Sequence, residues 1–472
     1  MIHLALFLPL VAGVVLMLAP GLGRALALVA SGATFVLSLA LLVRYPGEGL
    51  AYNFQTPLLE PAGVYYAVGL DGASLFLWLA VSLVVLLAVW LCRVPGRFLA
   101  LALMMETGLL GIFAATDLVL FYVFFEATLI PSLVMLGLFG GKERMKALYT
   151  FALFTLAGSL PMLASVLAVR YLGGSPSFLL SDLLAHPLEG SAVGLVFLGF
   201  ALAFTVKTPL FPLHAWLPSF HAENHSSGLA DAMGTLYKVG VFAFFRWAMP
   251  LLPQGFAELQ GLLLLLAAFT ALYGAWVAFA AKDWKRLLAY GGVSHMGLAA
   301  LGLFSGTQEG MVGALFLLAA SMVYTSGLFL FAGMVGERTG GLELNRVGGL
   351  AKSAPALSVL GLFLVMAMVG LPGLSGFPGE FLALLGAYKA SPWLTLLGFS
   401  AVIAAAAYAL TAYQSVFHQH ETRAARDLEA REQVFAAAMV ASMLLLGLYP
   451  RLFTELLEPA AKQLVLLLGG GS

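Results

Sequence analysis

Long apolar runs, separated by short polar or glycine- and proline-containing stretches, follow one another along the whole chain. A run of about 20 residues is what an α-helix needs to cross the hydrocarbon layer of a membrane. In the first half the runs cover 2–19, 25–45, 73–92, 98–115, 117–139, 146–171 and 192–208. In the second half they cover 226–249, 257–280, 286–304, 310–335, 355–386, 393–417 and 433–449. The pattern predicts an all-α integral membrane protein with about 14 transmembrane helices.

Composition indicates the same class of protein. The chain is 61% hydrophobic and 10% charged, with a mean hydropathy of +0.99, which is outside the range of soluble globular domains. Its 23 Lys and Arg residues balance 23 Asp and Glu residues, so no excess charge favours nucleic-acid binding. A single cysteine, Cys92, cannot form an internal disulfide or hold an iron–sulfur cluster. We therefore predict no cofactor or metal in this chain.

The distribution of cations between alternate loops predicts the orientation, because Lys and Arg accumulate in short cytoplasmic loops. If the N-terminus faces outward, 15 cations fall in cytoplasmic loops and six outside. Lys207 and Lys238 lie within the membrane and complete the 23. The first apolar run precedes the first cation, Arg24, which favours a retained helix over a cleaved signal peptide. We predict a multi-pass membrane protein with both termini outside.

Two predicted helices contain helix breakers. Residues 208–212 read Thr-Pro-Leu-Phe-Pro and residues 371–379 read Leu-Pro-Gly-Leu-Ser-Gly-Phe-Pro-Gly. Each break falls in the fourth helix if 98–250 and 257–420 are five-helix units, and since five is odd, the second unit must be inverted. Inverted repeats with broken helices are typical of transporter ion sites, although simple proline kinks are the alternative. The predicted domains are 1–97 with three helices, the repeats 98–250 and 257–420, and 431–472 with the last helix and a short tail.

Glu126, Lys207, Lys238 and Glu380 are charged residues inside predicted helices, where ionisable groups are costly and usually serve ion transport. We expect Glu126 and Lys207 to pair, and the pair to open or close as nearby groups exchange protons. A static salt bridge is the alternative. Lys238 has about a dozen helical residues on either side and no room to extend to water. Glu380 follows a break, so a capping role at a helix N-terminus is its alternative.

Other polar residues give weaker indications. His295 lies midway along a predicted helix and suits proton transfer, with a histidine bonded to a backbone carbonyl as the alternative. Glu106 is either a pathway member or a structural partner. Asp231 is predicted in a first helical turn, where it stabilises the helix dipole, and Lys285 is interpreted as a topology determinant. The histidines of 214–225 match no compact zinc spacing, so this segment is interpreted as a polar link to the cytoplasm.

In this order, these segments resemble the antiporter-like membrane subunits of proton-pumping NADH-quinone oxidoreductase, respiratory complex I. The most specific segments are 121–131, 207–218, 237–240, 283–297 and 376–381. The resemblance implies that Glu126 and Lys207 form a coupling pair and that Lys238 is a central proton carrier. It also implies that Glu380 leads towards the far side of the membrane. With His295, these residues form the predicted proton path.

Within the family, a glutamate at the second broken helix resembles the M-type subunit, known as subunit 4 in mitochondria, whereas L-type and N-type relatives usually carry lysine. The tail after 451 is too short for the long lateral helix of the L-type subunit. Two features depart from the family pattern. Ser321 stands where relatives often have histidine, and Ser219 with 224–226 replaces the more usual Asp and Ala-Pro-Thr.

The resemblance implies proton translocation across the bacterial inner membrane. Electron transfer from NADH to quinone in partner subunits would drive it, with no electron transfer in this chain. FMN, iron–sulfur clusters and quinone are expected in those partners. The expected neighbours are L-type and N-type subunits and lipids, with no nucleic acid. The alternatives are a subunit of a multi-subunit Na⁺/H⁺ antiporter or of a membrane-bound energy-converting hydrogenase. A purely structural scaffold is disfavoured, because it does not need ionisable groups in hydrocarbon.

Overall fold

The structure is a computed structural model that describes residues 1–236, 238–344, 348–419 and 424–469. Tyr237, which belongs to one segment of the resemblance, lies outside these ranges, as do the last residue of the predicted second repeat and residues 470–472 of the predicted tail. Every one of the predicted apolar runs contains helix. The chain is mostly helical, as its hydropathy pattern predicts.

The N-terminal part contains three long helices and a β-hairpin. The helices are α1 (Ile2–Leu18), α2 (Gly23–Val43) and α3 (Gly72–Leu91). Between α2 and α3, strands β1 (Ala51–Leu59) and β2 (Val64–Leu70) pair antiparallel, with Ala51 opposite Leu70 and Leu59 opposite Val64. The prediction of an all-α chain therefore needs this correction. The hairpin signal in the sequence is a polar stretch with a Glu-Pro-Ala-Gly turn at 60–63.

The next part consists of ten helical segments around one π-helical turn, Phe244–Ala248. The segments are α4 (Gly96–Ala114), α5 (Leu118–Ala127), α6 (Leu129–Phe139), α7 (Arg144–Gly173), α8 (Leu180–Ala185), α9 (Val193–Lys207), α10 (Trp216–Glu223), α11 (Leu229–Leu236), α12 (Gly240–Ala243) and α13 (Met249–Leu251). The last part contains α14 (Pro253–Phe279), α15 (Trp284–Phe304), α16 (Gln308–Thr339), α17 (Leu350–Ser353), α18 (Pro355–Met368), α19 (Gly376–Ala390), α20 (Pro392–Phe417), α21 (Ala430–Leu448) and α22 (Arg451–Leu467).

By length and composition, ten helices among the described residues can cross a membrane, and α1, α9 and α18 are shorter apolar helices. Helices α15 and α16 form the centre, since the apolar windows of both are almost entirely buried. Helices α2, α20 and α21 are peripheral and leave large apolar side chains such as Val29 and Ile403 exposed. Apolar side chains on the outside suit contact with lipid. Residues on α15 and α16 are thereby shielded from lipid.

Both predicted breaks are present. Residues 208–215 separate α9 from α10, because Pro209 and Pro212 cannot donate the hydrogen bonds of a continuing helix. Residues 369–375 separate α18 from α19, and here Gly370 and Gly373 adopt positive φ angles of 76° and 92°. Such angles favour glycine.

A third break corrects the prediction for 226–249. Helix α11 ends at Leu236 and α12 begins at Gly240, so Lys238 lies in a non-helical link rather than in the middle of a helix. A Cβ atom on Gly240 would lie 2.2 Å from the carbonyl oxygen of Phe204 in α9. Only glycine allows this approach, which packs the start of α12 against the last turn of α9.

The tail after 451, predicted as short, forms the amphipathic helix α22. Its buried residues Phe453, Leu457, Ala461 and Leu464 recur every three or four positions and form one face. This face packs against α16 and α3. Helix α22 thus covers part of α16 and α3.

Candidate functional site

Glu126 and Lys207 lie at the ends of two helices. Glu126 is the penultimate residue of α5, which ends at Ala127 because Pro131 has no N–H to donate to the Ala127 carbonyl. Lys207 is the last residue of α9, where the partial negative charge of a helix C-terminus stabilises a cation. Its ammonium lies 4.6 Å from the centre of the Phe125 ring. The charges of Glu126 and Lys207 interact, so the structure brings the predicted pair together.

The two members of this pair differ in exposure. Lys207 is only 1% exposed, whereas Glu126 is partly exposed at the side of the molecule, with its Oε1 atom buried. Ser159 of α7 lies beside the Glu126 carboxylate. Glu126 is therefore the outermost member of the predicted path.

Lys238 is 2% exposed, and its Nζ atom makes no hydrogen bond with any described residue. A Cβ atom on Gly292 of α15 would lie 2.9 Å from this Nζ, so the missing side chain at 292 makes room for the ammonium. Gly292 and His295 are three residues apart on α15 and share a face of that helix. Lys238 therefore lies over the same face of α15 as His295.

His295 and Glu380 form a second acid–base pair. Their Nδ1 and Oε1 atoms are 3.2 Å apart, and both side chains are buried. The contact has the distance of an ion pair but not the angles of a hydrogen bond, and within the described chain neither ring nitrogen bonds to a backbone carbonyl. Glu380 is the fifth residue of α19, beyond the first turn where a carboxylate interacts with the helix dipole. The capping alternative for Glu380 is therefore wrong.

Two tyrosines near this pair were not singled out from the sequence. The rings of Tyr324 and His295 are edge to face, with centres 5.7 Å apart. A Cβ atom on Gly291 would lie 2.7 Å from the hydroxyl oxygen of Tyr408. Both tyrosines are buried and interact electrostatically with Glu380. The sequence feature that points to them is a tyrosine within an apolar helix, because a buried tyrosine hydroxyl usually needs a polar partner.

Lys285 and Asp231 form a buried contact that was not predicted from the sequence. Asp231 does lie in the first turn of α11, but its carboxylate is completely buried. Lys285 is 5% exposed, and its Nζ lies 2.9 Å from the Asp231 Oδ2 atom. The interpretation of Lys285 as only a topology determinant is wrong, because the residue is a buried member of an ion pair.

The remaining candidates do not join these groups. Glu106 is completely buried, and neither of its carboxylate oxygens has a hydrogen-bond partner in the described ranges, so a structural partner for it is not found. Ser321 donates to the Leu318 carbonyl at 2.9 Å within its own helix. Ser219 likewise donates to the Trp216 carbonyl, at 3.3 Å.

Comparisons with known proteins identify the family of the chain. The family described as NADH:quinone oxidoreductase/Mrp antiporter, TM, matches residues 115–406. The chain is 63% identical to NADH-quinone oxidoreductase subunit 13 of Thermus thermophilus over 100% of both chains. It is 36% identical to NADH-quinone oxidoreductase subunit M of Rhodobacter capsulatus, covering 97% of this chain and 95% of that one.

Solved structures show the same fold. A chain of respiratory complex I from Thermus thermophilus with bound NADH has a TM-score of 0.97 at 63% identity, with 100% of both chains covered. A chain of the Mrp complex from Dietzia has a TM-score of 0.87 at 22% identity, covering 98% of this chain and 97% of that one, which shows the fold alone. The chain therefore belongs to the family of membrane subunits shared by NADH:quinone oxidoreductase and Mrp antiporters, and within it to the subunits M of NADH-quinone oxidoreductase.

Proposed function

We propose that this chain conducts H⁺ through Glu126, Lys207, Lys238, His295 and Glu380 as the M-type subunit of NADH-quinone oxidoreductase. The observation that carries the proposal is the buried ammonium of Lys238, which lies in a helix break over the helix face that holds His295. A charge this deep in an apolar bundle is costly and indicates ion transport.

The mechanism follows from charge interactions in a medium of low polarity, where charges act strongly on one another. When Glu126 pairs with Lys207, the positive charge near the Lys238 link is partly neutralised, which favours a protonated Lys238. When the pair opens, the unneutralised Lys207 favours transfer of the Lys238 proton towards His295 and Glu380. Ordered water would bridge Lys238 and His295, since no direct hydrogen bond joins them in the described chain.

The driving reaction belongs to partner subunits in this proposal. With one cysteine, the chain lacks the four thiolates that hold an iron–sulfur cluster. FMN, the clusters and quinone would therefore lie in other subunits, and homologous L-type and N-type subunits and lipids would surround this chain. The N-terminus would face outward, as loop charge favours.

We further propose that the chain has 14 spans and two inverted repeats. The equivalent positions of the two acid–base pairs support this arrangement. In each unit one member lies in the second predicted helix, Glu126 or His295, and the other in the broken fourth helix, Lys207 or Glu380.

Replacement of Lys238 by alanine in the assembled complex tests this function. We expect NADH:quinone turnover and proton pumping to fall by about tenfold or more, since a carrier lost from the path removes stabilisation of over about 1.4 kcal/mol. NADH oxidation with an artificial electron acceptor should stay at the wild-type rate. Lys282→Ala, at an exposed lysine, is the matched control and should pump normally. Full pumping by Lys238→Ala would overturn the proposal.

A further inference from the structure

Asp231 is the centre of a buried polar cluster near the cytoplasmic loops, apart from the five residues of the proposed path. Its Oδ1 atom accepts hydrogen bonds from His221 Nδ1 and from Asn224 Nδ2, each at 3.0 Å. Its Oδ2 atom lies 2.9 Å from Lys285 Nζ, a charge contact that lacks hydrogen-bond angles. Lys285 donates instead to the carbonyl oxygens of Asn224 at 2.7 Å and His225 at 3.3 Å.

His221 connects this cluster to Lys238. Its ring stacks on Phe329, with centres 4.3 Å apart and planes at 14°, which fixes the ring orientation. A Cβ atom on Gly234 would lie 3.0 Å from the His221 Cε1 atom, and Gly234 precedes Lys238 by four residues. The charges of His221 and Lys238 interact. The ring therefore contacts Asp231 and also interacts with the proposed carrier.

A cavity lies beside the cluster, at His225. It has a volume of about 260 Å³, enough for several water molecules, and Arg93, His225 and Glu337 are among its lining residues. The carbonyl oxygen of His225, one of these lining residues, accepts a hydrogen bond from Lys285. His225 thus connects the cavity to Lys285, and water filling the cavity would lie one residue away from the Asp231–Lys285 pair.

We propose that Asp231 and Lys285 are positioning residues that set the charge of His221 and thereby control the loading of protons onto Lys238. This inference rests on the proposed function. Because the His221 Nδ1–H donates to Asp231, the Nε2 atom is left to take a proton from water. That proton then passes to the neutral amine of Lys238, which becomes an ammonium, and His221 returns to its neutral form.

The two positioning residues act on His221 in opposite directions. The Asp231 carboxylate stabilises a charged imidazolium, whereas the Lys285 ammonium opposes it. The other charged or titratable groups that interact with the cluster are Lys238 and His225. If Asp231 and Lys285 formed only a structural ion pair, their substitution would affect assembly but would not change the charge of His221 in opposite directions.

The test is the pH profile of NADH:quinone turnover and proton pumping in the assembled complex. We expect Lys285→Met to move the alkaline limb up by about one pH unit and Asp231→Asn to move it down by about one unit, the usual size of one nearby charge. Lys285→Arg should restore the wild-type profile, and Lys282→Met, at an exposed lysine, should leave it unchanged. Shifts in the same direction, or none, would overturn the proposal.

A double variant guards against failure to assemble. Asp231→Asn with Lys285→Met removes both charges, which is usually tolerated better than one unpaired charge. The two shifts should then cancel, and a double variant that shifts like either single variant contradicts the inference. If Lys238→Ala abolishes pumping while both single variants keep the wild-type profile, this inference fails and the proposed function stands. If Lys238→Ala pumps fully, the proposed function itself fails.

Discussion

At the scale of single residues, Lys238 and His295 share burial without a hydrogen-bond partner among the described residues. Lys238 depends on the missing side chain of Gly292 for space, and His295 faces Glu380 at 3.2 Å without hydrogen-bond angles. A fully satisfied buried network is rigid, whereas groups with unused hydrogen-bonding capacity can take up water or exchange partners. Such capacity suits residues that must gain and lose protons.

Tyr408 provides a residue-scale prediction. Because its hydroxyl lies over Gly291 and interacts with Glu380, we expect Tyr408→Phe to lower coupled turnover several-fold, as loss of a group that orders water or carries protons does. Tyr413→Phe is the matched control on the same helix, since the Tyr413 hydroxyl bonds to Ser358 at 2.7 Å. The control should keep its turnover. Equal turnover rates for the two variants would show that the Tyr408 hydroxyl takes no part in coupled turnover.

At the scale of elements, three helix breaks place the ionisable groups. Lys207 ends α9 at the first break, Lys238 lies within the second, and Glu380 follows the third by five residues of α19. Broken helices expose backbone polar groups that only protein or water can satisfy in a membrane. The breaks therefore bring both polar backbone and charged side chains into the interior of the bundle.

Gly240→Ala tests the second break. The new Cβ would lie 2.2 Å from the Phe204 carbonyl oxygen, so the link that carries Lys238 must move away from α9. We expect a loss of about 1–3 kcal/mol, seen as a lower melting temperature of the assembled complex, together with reduced pumping. Gly261→Ala is the control, because nothing lies within 4 Å of its new Cβ. Unchanged melting and pumping in Gly240→Ala would show that the close packing is not needed.

The sequence predicts elements better than it predicts contacts. The apolar runs predict the helices because run length is a local property, and the prolines of 208–212 and 371–379 predict two breaks for the same reason. The break at Lys238 contains no proline and was missed. Asp231 and Lys285 meet across 54 residues of chain, and no local pattern reports such a distance. Loop charge instead favoured a surface position for Lys285.

At the scale of the whole molecule, two ion pairs join the N-terminal and C-terminal helices to the middle of the chain. Arg338 of α16 and Glu432 of α21 are 2.6 Å apart and both 1% exposed. Asp71, which caps α3 by accepting from the Ser74 N–H, is 2.6 Å from Arg246 in the π-helical turn. These contacts link the N-terminal and C-terminal helices to the interior. They stabilise the arrangement without belonging to the path.

Asp71→Asn tests one of these links. Burial raises the pKa of Asp71, but the Arg246 guanidinium and the bond from Ser74 outweigh it, so the pKa lies below its usual value. We expect the variant to lose about 1–3 kcal/mol at pH 7, measured as a lower melting temperature. A depressed pKa stabilises the folded chain above the unfolded value of about 4 and less as pH falls through the folded one. The difference from wild type should therefore persist at pH 5 and shrink only below about pH 4. A difference that vanishes already at pH 6 would contradict this account.

Glu126 is the one path residue that reaches the side of the molecule. Ionising a carboxylate next to acyl chains is costly. In an isolated subunit, the Glu126 carboxylate would therefore resist ionisation and would not form a charged pair with Lys207. In the assembled complex, an adjacent subunit would replace these acyl chains with polar groups and lower the cost of ionising Glu126. Because Glu126 is partly open to lipid, a subunit inserted in the membrane before assembly would then not leak protons. It would therefore not dissipate the proton gradient.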